Sequence, residues 1–338
     1  MTSEILDEAY TRLQSTGPEF NDWLSNHGPM AAEALARHGH ESEIPAWLDA
    51  YSRRLEARPR ATWKIDDWRA ALGDPRRLGD WLSFFDHELR NDSWTDVLEV
   101  WWPRLLPGIA AGATHGVIRV GHAVRVLREQ GPTSARIAEL AQGLGYWAAR
   151  WQLVPGAAAP AGTLRAESAL ASIPSIPHQT GGIRDRLAQL EHVDGWQQAQ
   201  RDLAASNDAE ALLREVVVAA VRRYPAHAHG DAVMLVHAAT APNAVLRVLP
   251  SLPSDQWAVS AAAAWSASAS IYAAYSPPDR APTPPAPATA ADAFDRAAQH
   301  GDEHVIKLAD TALDTYAWTG DSHSLVAIEQ AARLVEPH

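Results

Sequence analysis

The chain contains no cysteine. Disulfides, thiolate nucleophiles and Cys-ligated zinc or iron–sulfur sites are therefore excluded. Lysine is almost missing too: of 29 Lys and Arg residues only Lys64 and Lys307 are Lys. No basic excess exists, since the net charge is −12 and the pI is about 5.6. That argues against nucleic acid or an anionic membrane as partner, either of which would want a basic stripe. No apolar stretch of about 18 residues reads as free enough of polar interruption to span a bilayer. The start, Met1-Thr2-Ser3-Glu4, lacks the apolar run of a signal peptide. The expectation is a cytoplasmic protein. No Gly-x-Gly-x-x-Gly follows a strand, so a built-in dinucleotide fold is not expected. No period of about 34–45 residues marks a helical-repeat scaffold. What the chain does have is 14 Trp against 4 Phe, and 15 His. With cysteine absent, His is the one soft ligand left in quantity.

Apolar residues recur at helical spacing almost throughout, and no alternating strand is evident. The reading is all-α: a single large multi-helix bundle-like domain over residues 1–338 with an interior active site. Helices are expected at 3–13, 29–37, 43–57, 63–72, 78–89, 94–106, 133–153, 182–191, 195–205, 208–224, 231–249, 256–275, 290–299, 302–318 and 322–335. Gly108, Gly112 and Gly116 recur every fourth residue, as on one face of a helix allowing close backbone approach. Pro242 should kink or break the helix around it. Residues 154–180, rich in Pro, Gly, Ala and Ser, read as a loop or lid. The Pro-rich stretch 276–289 reads as a semi-rigid linker within the domain. The roughly fifty residues after it are too few for their own core and should pack back on the body.

Several residues hold pointed positions. His304 and Lys307 are three apart and share a helix face. Arg cannot lose its proton in a protein, whereas a buried Lys can; its neutral amine can add CO2 to give an anionic carbamate. The plainer reading pairs Lys307 with Asp310 or Glu303 on a solvated face. His27 precedes Pro29 at a helix start, where the dipole disfavours imidazolium. His115 lies beside the glycine-notched face, with His122 seven residues on. His237 comes shortly before Pro242. Helical bundles build sites in this way, from side chains on facing helices, although no short metal motif is present and each His could be an ordinary core residue. Arg119, one turn from His115, could bind a phenolate or oxyanion or simply pair with a carboxylate. Trp101, Trp102, Trp147 and Trp151 could wall a flat pocket or pack the core.

Four blocks change the weighting. Asn26-His27-Gly28-Pro29-Met30, His115-Gly116-Val117-Ile118-Arg119, His237-x-x-Thr240 and His304-Val305-Ile306-Lys307 resemble, in order and spacing, blocks of the questin oxidase-like family. Leu105-Leu106-Pro107 and Val248-Leu249-Pro250 add to the likeness, which spans about residues 20–330. The resemblance implies an α-helical oxygenase acting with O2 on an aromatic polyketide-like small molecule, by ring oxygenation or C–C cleavage of Baeyer–Villiger type. It further implies a non-haem iron held by His27, His115, His237 and His304, with carboxylated Lys307 as the anionic ligand. His122 stands as the alternative to His115. Two other readings stay open: a metal-free oxygenase of phenols or quinones, with NADPH as a reductant, and a non-catalytic helical scaffold. A monomer and a homodimer are both compatible with the sequence.

Overall fold

Helical periodicity and side-chain caps account for most of the architecture. The computed structural model describes residues 2–337 and is all-α, with 68% of the chain helical and 4% in strands. The described strands make one small hairpin, Glu19–Phe20 against Leu24–Ser25, which the sequence did not announce. The chain groups into two compact units, Met1–Leu153 with Arg247–Pro253, and Val154–Leu246 with Ser254–His338.

In the first unit the core is built by α1 (Thr2–Leu13), α2 (Gly28–Arg37), α3 (Leu78–Asn91), α4 (His115–Gln130) and α5 (Ser134–Ala149). Leu78, Trp81, Leu82, Phe85 and Leu89 form one buried face of α3. Their spacing is that of a core-facing stripe, and full burial of such side chains stabilises by about 1.5–3 kcal/mol each. That face packs on α5, which also packs on α4. The helices expected over 43–57 and 63–72 are shorter: Ile44–Tyr51 and Trp68–Ala71.

The three spaced glycines do not lie on one helix, contrary to expectation. Gly108 ends a 3-10 turn, Gly112 has φ +52°, and α4 starts only at His115. What they share is close approach to the segment from Tyr146 to Trp151. A Cβ at Gly108 would strike the Trp151 ring, at Gly112 the Tyr146 hydroxyl, and at Gly116 the Trp147 side chain at 2.8 Å. The fourfold spacing therefore marks close approach, as read, but along a turn and a helix start.

In the second unit α7 (Ala209–His227) packs on α9 (Trp257–Tyr275) and on the short α6 (Ala166–Ala171). That short helix lies inside the expected loop 154–180. Most of α8 (Ala232–Val248) belongs here, and Pro242 does not break it. Proline cannot donate to the carbonyl four residues back, which is Ala238; Ser268 Oγ of α9 donates to that oxygen instead, at 2.7 Å. The small residues of α9 permit this approach. The helices α10 (Ala290–His300), α11 (Glu303–Thr319) and α12 (Val326–Leu334) pack on one another, and α11 and α12 pack on α7, as the shortness of this segment requires. One described stretch, 232–251, is long and apolar enough to cross a bilayer, and 78% of its apolar window is buried.

Candidate metal centre

Within the first unit the structure brings His27 and His115 together. His27 caps the N-terminus of α2, with Pro29 in the first turn. Its backbone N–H donates to the Tyr51 hydroxyl, 2.6 Å away. His115 opens α4, directly after Gly112-Ala113-Thr114, three residues in a row with positive φ. For Ala and Thr such angles are strained, and strain of this kind persists where the surroundings over-determine it. The turn places the Gly112 carbonyl against His115 Nδ1, which donates to it. That bond fixes the tautomer, so Nε2 of the neutral ring carries a lone pair. His115 Nε2 and His27 Nε2 are 2.6 Å apart, and both rings are buried. Two nitrogens on one ion sit about 3 Å apart at metal–nitrogen bond lengths near 2.0–2.1 Å, so the pair needs to open by only a few tenths of an ångström.

Within the second unit His237 of α8 and His304 of α11 face each other edge-on, ring centroids 5.9 Å apart. His237 is fully buried, and its Nδ1 donates to the Met234 carbonyl, 3.1 Å away. Again the lone pair is left on Nε2. His304 Nδ1 lies 3.3 Å from Asp302 Oδ1. The same oxygen caps α11 by accepting from the His304 and Val305 backbone N–H groups. Burial pushes the Asp302 carboxyl up, but the hydrogen bonds and charge of His304 bring it below the ordinary value. Asp302, Glu303 and His304 also place one ligand atom each within 4.8 Å of one another.

One turn further, Lys307 is fully buried, and its Nζ makes no hydrogen bond among the described residues. The solvated-face reading of this lysine is thereby overturned. Burial drags its ammonium down to about 7, although the negative charges of Glu303 and Asp302 pull the other way.

The other expected site residues sit elsewhere. His122 is buried with both ring nitrogens engaged: Nδ1 with Glu33 at 2.7 Å and Nε2 with Arg247 at 3.2 Å. Burial lowers its pKa to about 4 against the opposing pull of Glu33. Of the two candidates, His115 alone presents a ligand-ready edge to a second imidazole. Arg119 makes a buried bidentate pair with Glu139, at 2.6 and 2.7 Å, and its Nη1 makes no hydrogen bond among the described residues. The tryptophans pack on one another and on the backbone. Trp101 lies among Trp68, Trp81, Phe84 and Phe85, and Trp102 abuts Trp147. Trp147 and Trp151 donate to the Gly108 and Arg104 carbonyls.

Sequence reasoning missed the groups that hold the rings. The Gly112 and Met234 carbonyls carry no side-chain signal. Asp302 could have been found, as an Asp at a helix start two residues before a His.

A family model described as questin oxidase-like matches residues 28–143, in agreement with the resemblance carried by the blocks around His27 and His115. No curated protein matches the chain.

Proposed function

We propose that this chain, a questin oxidase-like protein across residues 28–143, is an oxidoreductase that oxygenates an aromatic polyketide-type substrate with O2. We further propose that it uses one non-haem iron ion, held by His27, His115, His237 and His304 with Lys307 as a carbamate. One observation carries the reading. Three of the four rings have Nδ1 committed or opposed to an oxygen: Gly112 for His115, Met234 for His237 and Asp302 for His304. Metal-bound histidines characteristically have such a partner, which orients the ring and keeps the other nitrogen basic.

The donor set fits the ion. Imidazoles suit Fe(II), and a hard anion favours its ferric form. Bound iron would supply the one-electron chemistry with O2 that a closed-shell phenol lacks. The chain's own residues do the rest. His115 and His237, with their Nδ1 protons engaged, offer lone pairs and no acidic edge. Burial of His27, His115, His237 and Lys307 keeps bulk water from the reacting atoms, which strengthens every charge interaction there. Lys307 Nζ, buried and without a hydrogen-bond partner among the described residues, can attack CO2. A C–N bond forms and a proton leaves, giving a carbamate anion. With Asp302 and Glu303 nearby, that anion needs a cation beside it, so carbamate and metal should be gained and lost together.

Metal analysis of the purified chain tests this. About one iron per chain is expected. His27→Ala and His237→Ala should each remove nearly all of it, together with O2 uptake on a hydroxyanthraquinone. Two independently lost ions, or undiminished turnover after chelation, would overturn the reading.

A further inference from the structure

The second unit holds a second feature that the oxygenase reading does not use. Two open clefts of about 770 and 310 Å³ share Glu167, Arg222 and Arg223 and so form one continuous groove. Five arginines line it against three carboxylates, in a chain of net charge −12. Excess positive charge in a concave surface is unusual for so acidic a protein and focuses anions.

The hydrogen bonds show which donors remain. Arg165 pairs with Glu215 and Arg214 with Glu210. Arg222 gives Nη2 to Asp321 at 2.6 Å, but its buried Nε has no partner among the described residues. Arg223 pairs with no described carboxylate. Its Nη2 reaches only His227 Nε2, at 3.5 Å, and its guanidinium lies 5.7 Å from the Tyr272 ring centroid. Its Nε is also buried without a partner among the described residues. Arg280 stands exposed at the rim of the smaller cleft. The guanidiniums of Arg223 and Arg280 are thus the ones not neutralised by a described carboxylate hydrogen bond, and guanidinium forks match phosphate oxygens two at a time.

We infer that this groove binds a small molecule carrying at least two phosphate groups, with Arg223 and Arg222 at its floor and Arg280 closing over the outer phosphate. A single phosphate would leave part of the donor set unmatched. The volume leaves room for a nucleoside or similar body beside Trp318, which Arg214 already meets at 5.3 Å.

Calorimetric titration of the iron-loaded chain with pyrophosphate and with ATP tests the inference. Saturable binding is expected, at least tenfold tighter than for inorganic phosphate and weaker as salt rises. Arg223→Gln should weaken it at least tenfold and the exposed Arg280→Gln severalfold. Arg296→Gln, which breaks a pair with Glu329 outside the groove, should leave it unchanged. Absence of saturable heat, or heat that survives unaltered in both groove variants (as chelation of iron would), overturns the inference. Arg280→Gln decides the matter should Arg223→Gln fail to fold.

Discussion

Lys307→Arg keeps the charge of the side chain while removing its capacity to lose a proton and take up CO2. Iron content and O2 uptake should both collapse in this variant, and Lys307→Met should lose the metal as well. Retention of both iron and turnover by Lys307→Arg would sink the carbamate. A second prediction concerns His122, whose pKa of about 4 lies below the ordinary 6.5. Below pH 6.5 the unfolded chain takes up a proton that the folded chain refuses. The stability His122 allows is therefore complete above pH 6.5 and drains away towards pH 4, by about 3 kcal/mol at the acid end. Urea melts across that window should fall steeply for the native chain and less steeply for His122→Gln; parallel curves would disprove the assignment. Glu139→Ala strands Arg119 in the core and should cost about 3–5 kcal/mol, measured in the same melts.

At the level of elements, α8 continues past Pro242, and α9 provides a hydroxyl for the carbonyl that the proline leaves without its helical donor. Ser268→Ala leaves the Ala238 carbonyl without that donor and should cost about 1–3 kcal/mol. In that background Pro242→Ala should return part of the loss, since the helix can then close its own bond. No recovery in the double variant would show that Ser268 acts by packing alone. Gly116→Ala should destabilise by about 1–3 kcal/mol through overpacking against Trp147. Helices and caps were legible in the sequence because they depend on neighbours a few residues away. His27 before Pro29 and Asp302 before His304 are local signals of that sort. The glycine spacing marked close approach, but its partners Tyr146, Trp147 and Trp151 lie more than thirty residues on. The left-handed turn at Gly112-Ala113-Thr114 was not legible, as Ala and Thr carry no preference for it; nor was the passage through Pro242, where the freed carbonyl takes its donor from a serine 26 residues further on. Histidine pairing across 88 residues, from His27 to His115, came only from family resemblance, never from spacing.

For the whole molecule, binding of an ion to the folded chain alone must raise its stability by mass action. The iron-loaded protein should melt several degrees above the chelated one, and adding iron back should restore the difference. Equal melting of the two forms would mean that the folded chain has no particular affinity for the metal. The His27→Ala chain should show no such difference at all.

The close seat of Trp147 on Gly116 has an optical corollary. An indole pressed against the first turn of the helix that begins with His115 lies within quenching range of any paramagnetic or coloured ion that this imidazole holds. Emission should dim as iron enters and brighten as it leaves. Replacing that single ring by Phe should remove most of the change, giving a light signal for occupancy with no dye attached.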